Sequence, residues 1–294
     1  MPYRSAVKRF ALVGHPVGHS VSPAMMRAAF ESLGVACSYE AIDVPDEAAL
    51  AGVIGALRAG ELEGLNVTLP HKQAALRMAD SAGEGAARAG AANVFVREAG
   101  GKIRAENTDA PAIVRVLDPR LKSRRWALVI GSGGAARAAL LACERLGFQG
   151  IEITSRSWGT PEEAWEMGAG LPEVKAKVQL ESWVTDWGEP MRLAGRDADL
   201  VIQATSAGMR GADPGDEVIE RVPWEMLPAS TVAFDVVYRP RVTPFIAKAL
   251  RSGLAVEGGL GMLVEQAALA ITLWLGVGPS AEVLREAAER ALGE

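Results

Sequence analysis

Cysteine is nearly absent from this chain. Only Cys37 and Cys143 occur among 294 residues, which builds no disulfide framework and gives no metal-type spacing. Cys143, in AALLACERLG, reads as a small buried residue, and Cys37, in VACSYEAIDV, reads the same way. Histidine is almost as scarce. His15, His19 and His71 fall at no ligand spacing, so no metal is expected. Positive charge is not in excess either: 31 Lys and Arg stand against 36 Asp and Glu, a net charge of −5. That argues against a nucleic-acid binder, which would carry a basic face. No apolar run is long enough to span a bilayer; the most apolar late stretch, AALAITLWLGVG, is too short. The N-terminus has basic residues but only a short apolar run before Gly14 and Pro16. No signal peptide is therefore expected, and a cytoplasmic protein is. The chain contains no internal repeat and no low-complexity tract.

What is present is alternation. At this length two domains are the default. Phe10 to Val13 reads as a strand, GHPVGHSVSP as a loop, and AMMRAAFESLG as a helix stopped at Gly34. SYEAIDV is a second strand, and DEAALAGVIGALRAG a helix with Asp46 as its cap. LNVTL is a third strand, running into the helix HKQAALRMAD with Pro70 at its first position. AANVFV and KIRAEN bracket Gly100-Gly101 as a hairpin. A second series begins with a helix from Asp109 to Leu117, then the strand WALVI, the loop GSGG and the helix AARAALLACERLG. IEIT, DLVIQAT, TVAFDVV and LAVEGG continue as strands, with helices at LVEQAALAITLWLG and SAEVLREAAERAL. Residues 158–195 and 210–222 carry no clear pattern. The fold class is α/β.

Gly131-Ser132-Gly133-Gly134-Ala135-Ala136 follows a strand and opens a helix. This is G-x-G-x-x-A. The first glycine permits a tight turn, Gly133 lets backbone approach a pyrophosphate, and Ala136 allows close helix packing. The helix N-terminus then offers free N–H groups to the phosphates. The next strand ends in Thr154-Ser155-Arg156-Ser157, where an NAD site would have an acidic residue for the ribose. An arginine with small hydroxyls suits a 2′-phosphate, so NADP is the expected cofactor. Taken alone, Arg156 could equally be a solvated surface residue.

The first 110 residues gather uncharged polar groups. Ser20 and Ser22 precede a helix start, which makes an anion site of carboxylate size, although one of the two would suffice as a cap. Asn66 and Thr68 stand two apart in a strand and so share one face. Lys72, in the first turn of a helix, meets the positive end of the helix dipole. Asn93 and Asn107-Thr108-Asp109 complete the set. Asn93 could be a turn residue and Asp109 an ordinary helix cap. Together these groups suit a polyhydroxylated acid.

At this point the residues carry a resemblance. GHPVGHSVSP, GLNVTLPHK, GAAN, ENTDA, GSGGAARA, TSRS, ATSAGM, DVVYRPRVTP and GGLGMLVEQAA follow in order and spacing as in shikimate dehydrogenase, and the chain resembles that family over nearly its full length. The resemblance implies reduction of 3-dehydroshikimate to shikimate with NADPH, a step toward chorismate and the aromatic amino acids. It implies Lys72 and Asp109 as the catalytic pair. It implies Ser20 and Ser22 on the substrate carboxylate, with Asn66, Thr68, Asn93, Tyr238 and Gln266 around the ring. For NADP it implies Gly131, Ser132, Gly133, Gly134, Ala135, Ser155, Arg156, Ser157, Thr205, Val236 and Gly259. The chain departs from the family at Ser155 and Gln203, usually Asn, at Glu106, commonly Gly, and at Val94, commonly Thr; near Met25-Met26 the family has His or Asn. None of these touches the Lys72–Asp109 pair.

The architecture so implied is a substrate-binding α/β domain over residues 1–110, a Rossmann NADP-binding domain over 111–245, and C-terminal helices over 246–294 that return to the first domain. The hydride would cross a cleft between the domains, with Lys72 serving the developing alkoxide and Asp109 orienting it. Partners would be small molecules, with no nucleic acid and no membrane, and the protein a monomer or homodimer. Two other readings stay open: a quinate/shikimate dehydrogenase using NAD or both cofactors, and a non-catalytic dinucleotide sensor on the same fold.

Overall fold

Two six-stranded sheets organise the chain, in a computed structural model that describes residues 7–183 and 195–293. Contacts divide it into a first unit, Met1–Thr108 with Val264–Glu294, and a second, Asp109–Leu263.

In the first unit the strand order is β2-β1-β3-β5-β6-β4. Strands β1 (Lys8–Gly14), β2 (Cys37–Asp43) and β3 (Gly64–Val67) run parallel. Strand β5 (Val94–Arg97) is antiparallel to β3 and to β6 (Ile103–Glu106), its hairpin partner across Gly100-Gly101, and the short β4 (Ser81–Ala82) joins β6. Crossover helices bury one stripe each. Helix α2 (Glu47–Ala59) buries Leu50, Ile54 and Leu57, spaced by four and three. Asp46 caps it by accepting from the Ala49 N–H at 2.8 Å, and Gly60 ends it at φ 83°. These residues meet Leu65, Phe95 and Ile103 in one core. Helices α1 (Ser22–Ser32), α3 (Lys72–Met78) and α4 (Glu84–Ala89) complete the leading part of this unit.

Several expectations shift here. Strand β3 ends at Val67, so Thr68 lies beyond it and strand alternation does not give Thr68 the face of Asn66. Pro70 is not the first helical residue. It follows a cis peptide bond, His71 stands at the cap and Lys72 is first in α3. Cys143 is buried as expected, its thiol pushed up to about 12 by burial; Cys37, at the start of β2, is only half-buried.

The second unit is a parallel sheet of order β12-β11-β10-β7-β8-β9. Its strands are β7 (Trp126–Ile130), β8 (Gly150–Thr154), β9 (Lys177–Glu181), β10 (Ala198–Gln203), β11 (Val232–Asp235) and β12 (Ala255–Glu257). Counted from β7 this is 3-2-1-4-5-6 read backward, the dinucleotide-binding order, and it reverses between β7 and β10. Strands β10 and β11 are buried throughout, as covered parallel strands are. Helices α5 (Asp109–Leu117) and α6 (Gly134–Leu146) match their sequence patterns. Helix α7 (Pro161–Gly168) and helix α8 (Asp216–Arg221) arise where no pattern was readable. The signal for α7 was a capping box: the Thr160 hydroxyl accepts from the Glu163 N–H at 3.2 Å and the Glu163 carboxylate from the Thr160 N–H at 3.1 Å. Residues 184–194 of the unreadable stretch lie outside the described residues.

The second unit continues to Leu263 rather than stopping at 245. Helix α9 (Pro244–Arg251) leads into β12, which pairs with β11, so the chain leaves this sheet only after its sixth strand. Helix α10 (Gly259–Leu275) then spans the division. Its later part belongs to the first unit, where Trp274 stacks on Phe10 with ring centroids 4.6 Å apart and donates to the Phe95 carbonyl at 2.9 Å. Helix α11 (Ala281–Leu292) packs there against α1. Among the described residues no helix is long and apolar enough to cross a membrane.

Candidate active site

In the first unit, β1, β3 and β6 point the same way and β5 the opposite way. The chain segments after β1, β3 and β6, and the one before β5, therefore share one edge of the sheet. The loop after β1 carries Ser20 and Ser22. Asn66 lies near the end of β3, with Thr68 and Lys72 just after it. Asn93 precedes β5, and Asn107 and Thr108 follow β6. The sequence-predicted polar residues of this unit, scattered over 89 positions of chain from Ser20 to Thr108, thus collect along the edge where ligands of such sheets bind.

Their local geometry differs from residue to residue. Ser20 Oγ accepts the Ser22 N–H at 3.2 Å, while Val21 at the cap position of α1 supplies no side-chain cap. Ser22 is buried and opens the helix, Pro23 carries no N–H, and the Ala24 and Met25 N–H groups both donate to the Val21 carbonyl at 3.1 Å, so the two serine hydroxyls are what this end of α1 offers a ligand. Asn66 is buried. Its Oδ1 accepts from Tyr39 Oη at 2.7 Å and its Nδ2 donates to the Asn93 carbonyl at 3.4 Å. Burial raises the Tyr39 phenol well above its ordinary value, so it stays a neutral donor. Asn93 is not a simple turn residue. It is buried, its Oδ1 accepts the Thr108 N–H at 2.8 Å and its Nδ2 donates to Thr108 Oγ1 at 2.9 Å. Asn107 donates to the Ala91 carbonyl at 3.0 Å. This amide pair therefore fixes the end of β6 immediately before Asp109. Thr68 is half-buried, and a Cβ on Gly14 would stand 2.4 Å from its methyl, so β1 must end in glycine for Thr68 to sit there. Lys72 is half-buried at the first position of α3, its carbonyl accepting from the Ala92 N–H at 2.8 Å. Gln266 is half-buried on α10, in its first-unit part.

Asp109 and Tyr238 belong to the second unit. Asp109 is buried and is the first residue of α5 rather than its cap, an acidic group at the favourable end of that helix. Tyr238 is half-buried in the loop after β11.

The loops after β7, β8, β10 and β11 also share an edge, because these strands are all parallel. Gly131 has φ 125°, and a Cβ there would lie 3.1 Å from the Ala204 carbonyl oxygen; both conditions require glycine. Gly133 is different. A Cβ there would meet nothing within 4 Å, and Gly133 caps α6 with no side-chain hydrogen bond. No packing within the described residues demands that glycine. Open space in front of an uncapped helix N-terminus is what a phosphate needs, so Gly131 to Ala135 fit a dinucleotide. Beside them the hydroxyls of Ser132, Ser155 and Ser157 form a cluster, with oxygens 2.9 Å apart for Ser132–Ser155 and 3.0 Å for Ser155–Ser157. Arg156 extends beyond them, exposed, and pairs with Asp213 at 2.6 Å. On the other side of the glycine loop, a Cβ on Gly259 would stand 2.1 Å from the Val236 carbonyl oxygen. Those two backbone segments are therefore in direct contact.

Sequence reasoning missed the support beneath Thr205 and Val236. Gln203 and Asp235, both buried, end β10 and β11. Gln203 Oε1 accepts the Thr205 N–H at 2.5 Å and its Nε2 donates to the Ala207 carbonyl at 2.9 Å. Asp235 accepts from Thr243 Oγ1 at 2.6 Å and from the Val237 N–H at 2.9 Å. Burial raises the Asp235 carboxyl to about 7, while those two hydrogen bonds pull it back. The signal was a charged residue closing an apolar strand, VAFD. Among the described residues no cluster of His, Cys, Asp or Glu could hold a metal.

Comparison with known proteins adds independent findings. The family model for the shikimate dehydrogenase substrate binding domain matches residues 12–95, and that for the shikimate 5′-dehydrogenase C-terminal domain matches residues 259–289. Shikimate dehydrogenase (NADP(+)) of Thermus thermophilus is 39% identical over 288 residues, covering 97% of this chain and 99% of its own. The crystal structure of the Thermus thermophilus shikimate 5-dehydrogenase in complex with NADP(H) and shikimate superposes with a TM-score of 0.81 at 38% identity, over 97% of this chain and 100% of that one. The Listeria monocytogenes shikimate 5-dehydrogenase, in complex with shikimate and NAD, superposes with a TM-score of 0.81 at 26% identity, over 97% and 98%.

Proposed function

Since the chain belongs to the shikimate dehydrogenase family, we propose that it catalyses the reversible, NADPH-dependent reduction of 3-dehydroshikimate to shikimate, on the route to chorismate and the aromatic amino acids. The first unit takes the substrate and the second takes the dinucleotide. The observation that carries this reading is the row of Ser20, Ser22, Asn66, Thr68, Lys72 and Asn93 along one sheet edge of the first unit. That set is a carboxylate site, neutral hydrogen-bonding groups for ring hydroxyls, and one cation.

The chemistry follows from what each group can do. Bound NADPH supplies the hydride. Ser20 and Ser22 hold the substrate carboxylate through their hydroxyls. Asn66, Thr68, Asn93 and Gln266 orient the ring hydroxyls, and Tyr238 is a further substrate-binding residue. Lys72 Nζ donates a proton to the oxygen that becomes the C3 hydroxyl, or holds its negative charge as it develops, and Asp109 is the second member of the catalytic pair. In the reverse direction Lys72 Nζ receives the hydroxyl proton. Gly131 to Ala135 cradle the pyrophosphate. Arg156, with Ser132, Ser155 and Ser157, takes the 2′-phosphate, and Thr205, Val236 and Gly259 contact the remainder of the cofactor.

The test is a set of initial rates with NADP⁺ or NAD⁺ and with shikimate or quinate, all four combinations, on wild type and Lys72→Ala. Turnover with shikimate and NADP⁺ well above the other three is expected. Lys72→Ala is expected to lower kcat roughly 10²- to 10⁴-fold, the range for a positioned acid–base group, with a much smaller rise in KM. A Lys72→Ala enzyme with near-normal kcat removes Lys72 from the chemistry, and comparable wild-type rates with quinate or NAD⁺ move the protein to the broader-specificity branch.

A further inference from the structure

The arginine assigned above to the 2′-phosphate already has a partner. Arg156 donates to Asp213 at 2.6 Å, and both side chains are partly exposed, at 34% and 40%. Arg156 follows β8 and Asp213 lies in the loop after β10. Strand β7 runs between β8 and β10, so this ion pair joins the two loops that flank the glycine loop.

Asp213 is held where it is by its own loop. Its Oδ1 accepts the Gly215 N–H at 2.7 Å and its carbonyl accepts the Gly208 N–H at 2.7 Å. Gly208 and Gly215 have φ 79° and 94°, which favours glycine at both, and the Arg210 N–H donates to the Arg239 carbonyl at 3.1 Å. The loop that begins with Thr205 therefore presents a fixed carboxylate to Arg156.

A carboxylate and a phosphate are alternative anions for one guanidinium, and they repel each other. A 2′-phosphate must displace Asp213 or accept it as a like-charged neighbour. The unphosphorylated ribose of NAD(H) does neither, and the neutral hydroxyls of Ser132, Ser155 and Ser157 can serve both forms. We propose that Asp213 is a specificity-determining residue: its carboxylate competes with the 2′-phosphate of NADP(H) for Arg156 and so limits the preference for NADP(H) over NAD(H). This rests on the assignment of Arg156 to the 2′-phosphate.

The experiment is calorimetric titration of NADP⁺ and of NAD⁺ into wild type, Asp213→Asn, Arg156→Ala and the double variant. Asparagine keeps the acceptor for the Gly215 N–H and removes the charge. Asp213→Asn should tighten NADP⁺ roughly 2- to 5-fold, the range of an exposed ion pair, and leave NAD⁺ unchanged. The gain should vanish when Arg156 is already alanine, because the competition acts through Arg156. Weaker NADP⁺ binding in Asp213→Asn would mean that Asp213 positions Arg156 for the phosphate, and would overturn the proposal. So would an unchanged affinity, or equal tightening of both cofactors. Arg156→Ala alone reports on the underlying assignment. Selective loss of NADP⁺ keeps it whatever Asp213→Asn does, whereas equal loss of both cofactors removes it and the proposal together.

Discussion

Single residues tell most where they break a local rule. Glu152 stands in the middle of β8, fully buried, and neither carboxylate oxygen has a hydrogen-bond partner among the described residues. Burial pushes its carboxyl up to about 8, and the nearby Glu181 adds to this. In the unfolded chain it loses its proton near its ordinary value of 4.5. Between those values the folded protein keeps a proton that the unfolded chain has released. Stability therefore falls as pH rises from about 4.5 to about 8 and levels off above. Glu152→Gln should flatten that fall. Thermal melts should show little change at pH 5 and a clear stabilisation above pH 8, on the order of 5 kcal/mol. Equal effects at both pH values would mean that Glu152 is not an ionised cost in the fold. Sequence alone showed Glu152 only as one charge inside IEIT, because alternation cannot tell which face of a central strand is covered.

At the scale of elements, the two glycines of the Gly131–Gly134 loop separate fold from proposed function. Gly131 has φ 125° and a carbonyl 3.1 Å from where its Cβ would be, so alanine there strains the turn. Gly133 has open space in front of it. Gly133→Ala should change stability by less than about 1 kcal/mol, yet weaken NADP⁺ binding at least tenfold by blocking the approach to the helix N-terminus. A melt together with a cofactor titration reads both. Undiminished binding would take the pyrophosphate away from this loop. The G-x-G-x-x-A pattern was legible because it is local. Gln203 and Asp235, which hold the Thr205 and Val236 loops, were not, since they lie 32 positions apart and meet only when β10 and β11 pair. Thr68 is the converse case. Strand alternation put it on the face of Asn66, but the strand stops at Val67, and it is the space left by Gly14 that admits its methyl beside the end of β1.

For the whole molecule, the C-terminal segment is what closes the first unit. Trp274 stacks on Phe10, donates to the Phe95 carbonyl at 2.9 Å and fills the room left by Gly64, where a Cβ would lie 2.3 Å from its Nε1. Trp274→Ala should destabilise the protein by about 3 kcal/mol, seen in denaturant unfolding. A change below about 0.5 kcal/mol, the scale of an ordinary surface substitution, would mean that the returning helix does not hold this unit together. Gly64→Ala should act in the same direction, because the clash is with a ring fixed by stacking.

The sequence by itself determined whatever depends on neighbours in the chain. The α/β alternation, the glycine loop, the Asp46 cap, the helix over Asp109–Leu117 and the polar residues of the first 110 positions could all be read in it, since period, capping and turn chemistry act over a few residues. Tertiary structure decided what depends on strand order. Parallel β1, β3 and β6 with antiparallel β5 bring Ser20, Thr68, Asn93 and Thr108 to one edge. Pairing of β12 with β11 carries the second unit on to Leu263. The interposition of β7 between β8 and β10 brings Asp213 to Arg156. Hydrogen bonding across a sheet joins residues far apart in sequence, and that pairing has no signature within any one segment.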